Sequence, residues 1–246
     1  MHRGSLRNII LALAAFCSGS LPALAGDAAR LDILGFTADG KTFAFEEYGV
    51  QDGSGFPYAN RFYISTETDS FLAKTPIRIM LKDEQVDTGA ARTNARIQAE
   101  TATGIPDSIL RTHAGETVAS NPVTELSADP FRVKVNPRSV FPPIDEPIEF
   151  MLEDIPVPQP DNCKGLGEAK GFRLTMKDAK SGGEPRLLHE DKSAPASRGC
   201  PLGYRIGAVQ MAFPSSGTPV FAVMVSVRRF GFEGPDHRWL AVTGRQ

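Results

Sequence analysis

Apolar residues in this chain fall mostly in short runs of strand length, separated by turn-forming residues. LDILGF and KTFAFEEYGV flank TADG, where Asp39-Gly40 predicts a β-hairpin, because glycine adopts the positive φ of such a turn without steric cost. Later runs of the same kind are NRFYIST, PIRIMLK, FRVKV, PIEFMLEDI, GFRLTMKD, PRLLHE, YRIGAVQMAF, PVFAVMVSVRRF and HRWLAVTG. The pattern predicts a mainly β protein.

One segment, residues 84–113, differs in composition, being rich in Ala, Gln, Glu and Arg. We expect a helix from about Thr88 to Thr103, with Asp87 as its N-cap, Gly104 following its last turn and Pro106 preventing simple continuation. PDSILRTH then predicts a short second helix. The apolar face of the first helix is thin and consists of Val86, Ala90 and Ile97, so the helix should lie on a surface.

The run PVFAVMVSVRRF is apolar on both faces until Arg228, which predicts a central strand rather than an edge strand. The fold class is therefore mainly β, or α+β by count, with antiparallel sheets and one helical segment near residues 88–113. Both a sandwich-like arrangement and a partial propeller fit this pattern. We expect a single β-rich domain over residues 26–246.

The first 25 residues have the order of an export signal. Arg3 and Arg7 precede the apolar run IILALAAF, and Ala23-Leu24-Ala25 supplies small side chains where a signal peptidase requires them. We expect cleavage after Ala25 and a periplasmic or secreted protein. A membrane anchor would need about 20 mostly apolar residues, and this run is shorter and interrupted. A lipoprotein would carry its lipid on Cys17, but Phe16 stands directly before it, where lipoprotein signals generally have a small residue.

Composition limits the partners that the chain can have. Removing 25 of 246 residues leaves 221, and removing two arginines leaves 25 basic against 29 acidic residues, a formal charge of −4. A mildly acidic surface repels phosphate backbones and anionic lipid, so we expect no nucleic-acid partner. No later segment is long and apolar enough to predict a membrane span.

The two cysteines that remain after cleavage predict a disulfide, because the chain is bound for an oxidising compartment. Cys163 and Cys200 are 37 positions apart, and closing a loop of that size restricts the unfolded chain by roughly 4 kcal/mol in the entropic account. Two buried free thiols are the alternative. Neither cysteine has a second Cys or a His at zinc-site spacing, so we expect no metal.

Two resemblances to known families appear. FTADGKTFAFEEYG followed by NRFYI resembles a repeat of the TolB-like β-propellers, matching at Phe36, Asp39-Gly40-Lys41 and Ala44-Phe45. Over most of its length, with EEYGVQDGSGFPYA and GFEGPDHRW, the chain is similar to a family of predicted secreted bacterial proteins of unknown function. This second resemblance implies export and assigns no catalytic residue.

Two unusual segments carry the candidate ligand-binding residues. The first, Glu46 to Tyr58, combines glycines, acids and aromatics, and the second, Phe230 to Trp239, gathers an acid, a histidine, an arginine and the single tryptophan. The alternatives are a long hairpin loop whose aromatics cover the core, and a tight turn with Arg238 paired to an acid. The ligand-binding candidates are Tyr48, Asp52, Phe56, Tyr58, Glu233, His237 and Trp239.

The sequence contains no cofactor fingerprint, nucleophile elbow or HExxH motif. We therefore expect no cofactor and favour a non-catalytic binding or envelope accessory protein, whose partner is a small molecule, a glycan or an envelope protein. A carboxylate-dependent hydrolase using Glu47, Asp52 or Glu233 is one alternative, and it needs two carboxylates within roughly 5 to 10 Å. A structural or interaction protein is the other.

Overall fold

A computed structural model describes residues 26–178, 184–215 and 217–246, so the expected export signal lies outside the described residues. The strands in chain order are β1 (Arg30–Phe36), β2 (Thr42–Val50), β3 (Pro57–Ser65), β4 (Ser70–Phe71), β5 (Ile77–Met80), β6 (Glu116–Ser120), β7 (Arg132–Val135), β8 (Ile148–Pro156), β9 (Lys170–Asp178), β10 (Arg186–Glu190), β11 (Pro201–Ala212), β12 (Val220–Arg229) and β13 (Asp236–Arg245). The helices are α1 (Thr88–Thr103) and α2 (Asp107–Thr112).

These strands form three antiparallel sheets. The first sheet has the order β1-β2-β3-β4, with β5 also paired to β3. The second sheet has the order β10-β9-β8-β7, and the third, called here the central sheet, has the order β13-β12-β11-β6. The strands β7 to β13 correspond to the runs that the sequence predicts, whereas β4 and β6 were not predicted.

The predicted first hairpin is present as β1 and β2. Gly40 has a φ of 68°, and the Thr37 carbonyl accepts its N–H at 2.8 Å. Asp39 Oδ1 accepts the Lys41 N–H at 3.0 Å, which closes the turn. A Cβ at Gly40 would lie 2.5 Å from Pro214 Cγ, so both conformation and packing require glycine here.

The predicted helix is confirmed at both ends. Asp87 Oδ1 accepts the Ala90 N–H at 2.9 Å, and Gly104 adopts the left-handed conformation after the last turn. The expected apolar face was wrong, because Ile97 is 51% exposed. The buried positions are instead Ala91, Ala95 and Ala99, whose small side chains let the helix approach β3 closely.

Buried ion pairs join the helices to the first sheet. Glu46 on β2 is fully buried and lies 3.5 Å from Arg61 Nε on β3 and 2.9 Å from Arg92 Nη2 on α1. Arg61 also binds Asp107 at the start of α2 at 2.5 Å, and Arg92 binds Asp32 on β1 at 2.5 Å. Glu46 is the fully buried member, so removing both Arg61 and Arg92 would leave it as an uncompensated buried charge.

The central sheet is buried on both faces, which confirms the prediction made from the PVFAVMVSVRRF run. Along β12, Phe221, Val223, Val225 and Val227 belong to the cluster shared with the second sheet. The alternating residues Val220, Ala222 and Met224 belong to the cluster shared with the first sheet. Because successive side chains of a strand point to opposite faces, β12 contributes apolar side chains to the cores on both sides of the central sheet.

Two aromatic cores lie on either side of the central sheet. On one side, Phe150 and Phe221 have ring centroids 5.3 Å apart. On the other, Phe45 and Phe62 of the first sheet stack at 4.5 Å. The layers are thus α1 and α2, the first sheet, the central sheet and the second sheet, as the sandwich alternative expects; the TolB-like resemblance stays a statement about the sequence of the first hairpin.

The disulfide between Cys163 and Cys200 is present, with Cα atoms 5.2 Å apart. It joins the short 3-10 turn Asp161–Cys163 to the residue before β11, and the 3-10 turn Ala196–Arg198 ends two residues before Cys200. Both cysteines are buried with Ala169. The bond therefore fixes the segment that leads from β10 into the central sheet.

Replacing Phe221 with alanine should lower the free energy of unfolding by about 3 to 5 kcal/mol, because its fully buried ring would leave a cavity between two sheets. Urea unfolding followed by tryptophan fluorescence measures this loss. The matched control is Phe232→Ala, in which the lost ring is 81% exposed and the change should stay within about 0.5 kcal/mol. Equal losses in the two variants would contradict the layered core.

Candidate functional site

The residues that follow the expected cleavage site lie along the outer edge of β13. Ala28 forms a parallel bridge with His237. The His237 N–H donates to the Asp27 carbonyl at 2.9 Å, and the His237 carbonyl accepts the Ala29 N–H at 3.0 Å. Trp239 Nε1 donates to the Ala29 carbonyl at 2.8 Å. Residues 27–29 therefore pair with the free edge of β13.

A cavity of about 800 Å³ opens beside the same edge and is called here the groove. Its lining comes from strands of all three sheets. Residues of the first sheet and its turns are Glu47, Gln51, Tyr58, Asn60, Phe62, Ile64, Asp69, Ser70, Phe71, Pro76, Arg78, Ile79 and Met80. Residues from β10 and the turn before β11 are His189, Pro195, Ser197 and Arg198, and those from β12 and β13 are Val227, Arg229, Arg238, Trp239, Leu240, Ala241 and Val242.

The groove has a mostly apolar lining, and part of that lining is open to solvent. Phe71 on β4 is 54% exposed and Met80 on β5 is 45% exposed, although both lie in regular strands. Phe62 contacts Phe71 with ring centroids 6.1 Å apart. A volume of this size with apolar walls and a few polar groups is typical of small-molecule sites.

Two carboxylates of the first sheet bind backbone N–H groups of β13. Glu47 Oε2 accepts the Trp239 N–H at 2.7 Å, while its Oε1 accepts Asn60 Nδ2 at 2.9 Å. Asp69 Oδ1 accepts the Thr243 N–H at 2.7 Å. Burial raises the pKa of both carboxyls. These carboxylates accept backbone N–H groups of β13 that a further strand would otherwise accept at this edge of the sheet.

Between these two contacts the edge of β13 faces the groove. His237, Trp239 and Thr243 turn their N–H groups away from β12, so Ala241 does the same by the alternation of an antiparallel ladder. Within the described residues the Ala241 N–H has no hydrogen-bond partner. The groove therefore offers a backbone donor beside its apolar walls.

Three of the four arginines in the groove are already paired with acids. Arg198 binds Asp191. Arg229 and Arg238 both bind Asp236, at 3.2 and 3.6 Å.

The side chain of the fourth arginine, Arg78 on β5, has no close acidic partner in the part of the chain that the structure describes, although its charge acts on Glu47 and offsets part of the rise that burial causes in the pKa of that carboxyl. Its guanidinium lies 5.4 Å from the centroid of the Phe62 ring, and its side chain is exposed. Arg78 can therefore bind an anion that enters the groove beside the aromatic wall formed by Phe62 and Phe71.

The wall of the groove formed by β10 and the turn before β11 is held in place by a buried acid, Asp191. His189 stacks on Phe172 at 4.5 Å, and its Nε2 lies 3.0 Å from Asp191 Oδ1. Asp191 also accepts the Phe172 N–H at 3.0 Å and binds Arg198. These contacts lower the pKa of Asp191 despite its burial. The Cys163–Cys200 disulfide follows Arg198 and holds this wall in place.

Of the seven sequence-predicted site residues, Tyr58 and Trp239 line the groove. The Tyr58 hydroxyl donates to Asp27 Oδ1 at 3.1 Å, and burial raises its pKa. The Trp239 ring packs over Gly207, where an added Cβ would lie 2.3 Å from it. Arg238 pairs with Asp27, as the tight-turn alternative expects.

The remaining candidates lie outside the groove lining. Asp52 Oδ2 accepts the Glu233 N–H at 2.8 Å, so the two unusual segments do meet. Tyr48 lies under the Arg92 guanidinium at 4.0 Å, near helix α1. Phe56 is half-buried, and its carbonyl accepts the Gln51 N–H at 2.9 Å.

His237 is half-buried, and its Nδ1 lies 3.2 Å from Ser226 Oγ. Burial lowers its pKa, and the nearby Arg205 and Arg228 lower it further. Its neighbour Asp236 binds Arg229 and Arg238 instead. The two adjacent side chains therefore have separate partners, as strand alternation predicts.

Sequence reasoning missed most of the groove, in particular Phe71, Arg78, Met80, His189 and Arg198. One local signal was available, because PIRIMLK alternates and places Arg78 and Met80 on one face of a short strand. The others become neighbours only through tertiary packing. Within the described ranges, no three His, Cys, Asp or Glu side chains are grouped so as to hold a metal ion.

Comparison with known proteins gives a family. Residues 44–245 match the model of the family described as predicted secreted protein, DUF2259. The chain belongs to this family. The matched range includes every residue that lines the groove, and the family description agrees with the expected export. No curated protein and no solved structure matches the chain. None of the described helices is sufficiently long and apolar to cross a membrane.

The free energy of unfolding should depend on the titration of Glu47. Because its native pKa is raised above the ordinary value of about 4.3, the native state keeps this proton to a higher pH than the unfolded chain does. Its stabilising contribution is complete below that ordinary value and is lost as pH rises through the native pKa. Glu47→Gln removes the titration.

Urea unfolding between pH 4 and pH 8 measures this difference. The stability of the wild type relative to Glu47→Gln should fall as pH rises. Glu233→Gln, which changes an exposed carboxylate, is the control for losing a carboxyl outside the groove. A constant difference between the wild type and Glu47→Gln across the range would show that Glu47 titrates alike in both states.

Proposed function

We propose that this protein is an exported, non-catalytic binding protein whose ligand occupies the groove. The observation that carries the proposal is the combination of an open aromatic and aliphatic wall with an exposed cation, Arg78, that has no close acidic partner among the described residues. Phe62, Phe71 and Met80 supply apolar surface, and burying such surface stabilises a complex by roughly 25 cal/mol per Å² before the costs of association. The ligand class that fits is an apolar or aromatic organic acid.

The polar groups of the groove support this class over a neutral polymer. Arg198, Arg229 and Arg238 are neutralised by their own acids, so they shape the walls rather than attract charge. Arg78 is the group that gains a partner when an anion binds. A charge-assisted hydrogen bond to a guanidinium is about twice as strong as a neutral one.

The hydrolase alternative fits the groove poorly. Its carboxylates are Glu47 and Asp69, which bind β13 at Trp239 and Thr243. Four residues along a strand span about 13 Å, beyond the 5 to 10 Å that paired-carboxylate hydrolysis uses. Asp52 and Glu233 adjoin each other outside the groove lining. A purely structural role, the third alternative, gives no reason for a groove of this volume.

A pair of fluorescent probes tests the proposal. 1-Anilinonaphthalene-8-sulfonate carries an aromatic body and an anion, and N-phenyl-1-naphthylamine has the same aromatic body without the charge. Both should bind, and Arg78→Gln should weaken the sulfonate probe about fivefold or more while leaving the neutral probe unchanged, since the lost contact is worth about 1 kcal/mol or more. Titration of probe fluorescence measures both affinities.

The control is Arg30→Gln, an exposed arginine on β1 outside the groove lining, and it should affect neither probe. Phe71→Ala should weaken both probes, because each rests on the aromatic wall. If Arg78→Gln changes neither affinity, or if the wild type binds neither probe, the proposed groove ligand is wrong.

A further inference from the structure

The segment around Gly26 has no space for a side chain. A Cβ at Gly26 would lie 2.4 Å from the Gly234 carbonyl oxygen and 2.7 Å from the Pro235 carbonyl oxygen. Conversely, a Cβ at Gly234 would lie 3.0 Å from the Gly26 nitrogen. Gly26 therefore fits against the turn between β12 and β13, and only glycine fits there.

The next residue is anchored in the same turn. The Asp27 N–H donates to Asp236 Oδ1 at 3.0 Å, and Arg238 Nη1 donates to the Asp27 carbonyl at 2.8 Å. Asp27 is only 9% exposed, although it stands at the start of the described chain. The turn itself is compact, because a Cβ at Gly231 would lie 2.6 Å from Asp236 Oδ1. Residues 231–236 thus form a binding site for Gly26 and Asp27.

We propose that the chain is cut between Ala25 and Gly26 and that the new amino terminus of Gly26 docks in the turn of residues 231–236. The acceptors around Gly26 are the carbonyl oxygens of Gly234 and Pro235, with the Asp236 carboxylate one residue away. A primary ammonium has three N–H donors, whereas an internal peptide nitrogen has one. The turn is therefore a binding site for the processed terminus, independent of the ligand proposed for the groove.

The cut is a peptide hydrolysis by an export endopeptidase that accepts the small side chains of Ala23 and Ala25. The hydroxyl of water bonds to the Ala25 carbonyl carbon as the Ala25–Gly26 bond breaks, and the hydrogen goes to the Gly26 nitrogen. The new carboxyl then releases a proton, and the new amine takes one up. Both charges form without any further reactant.

Intact-mass measurement of the protein exported from cells expressing the full chain is the first test. The expected mass is that of residues 26–246 with the disulfide formed. A chain beginning at any other residue, or one that carries lipid on Cys17, overturns the proposed cut.

Docking is tested separately, with proteins released from a cleavable fusion so that the first residue is chosen. One begins at Gly26, and the other carries Ala25 before it. Amine acetylation at pH 7, read on the N-terminal peptide by mass spectrometry, should be at least about tenfold slower for Gly26 in the native state than in urea, because a docked amine reacts only on opening. In the protein that begins at Ala25, the amine should be acetylated as fast in the native state as in urea. This protein should also melt several degrees below the one that begins at Gly26. Equal acetylation and equal melting of the two proteins would overturn docking.

The steric requirement provides a matched pair of variants. Gly26→Ala in the chain that begins at residue 26 should lower the melting temperature by about 4 °C or more. Gly89→Ala, at a helical position where the added Cβ meets only the Asp87 side chain and no backbone atom, should cause a clearly smaller loss. A Gly26→Ala protein with unchanged melting and unchanged acetylation would contradict the proposed fit.

Discussion

The structure depends on burying both faces of β12 and its neighbours. Phe221, Val223 and Val225 pack against the second sheet, while Ala222 and Met224 pack against the first. The residues toward the first sheet include the alanines Ala208, Ala212 and Ala222, and aromatic side chains from that sheet, such as Phe45 and Phe62, fill the space. Neither outer sheet has another described apolar layer of this size to pack against, so the central sheet sets the position of both.

The same arrangement creates the groove. A sheet buried on both faces still has an open edge, and at β13 that edge is met by carboxylates from the first sheet at two positions and by residues 27–29 at a third. Where none of these reaches, near Ala241, the three sheets leave a space between their edges. The groove thus lies where the edge of β13 is left uncovered, and Arg78 is part of its lining.

Local signals in the sequence predicted the elements well and the site poorly. Asp87 and Gly104 mark the ends of α1 because caps act within a few residues. The buried face of that helix was missed because hydrophobicity favours Ile97, whereas the distance between helix and sheet admits only alanine. Tyr58 and Trp239 were found because their segments are unusual. His189 and Arg198 were not, since their nearness to Arg78 comes from the stacking of sheets more than 100 residues apart in the chain.

The order of strands along the chain also bears on how the domain folds as it is synthesised. The sheet on which both others pack is made chiefly from residues 201–245, which follow the strands of the other two sheets in the chain. Until they arrive, the Phe43, Phe45 and Phe62 face of the first sheet has no cover. A partly synthesised chain therefore exposes aromatic surface of the kind that aggregates or recruits chaperones, and this part of the fold is complete only when β13 pairs with Asp27.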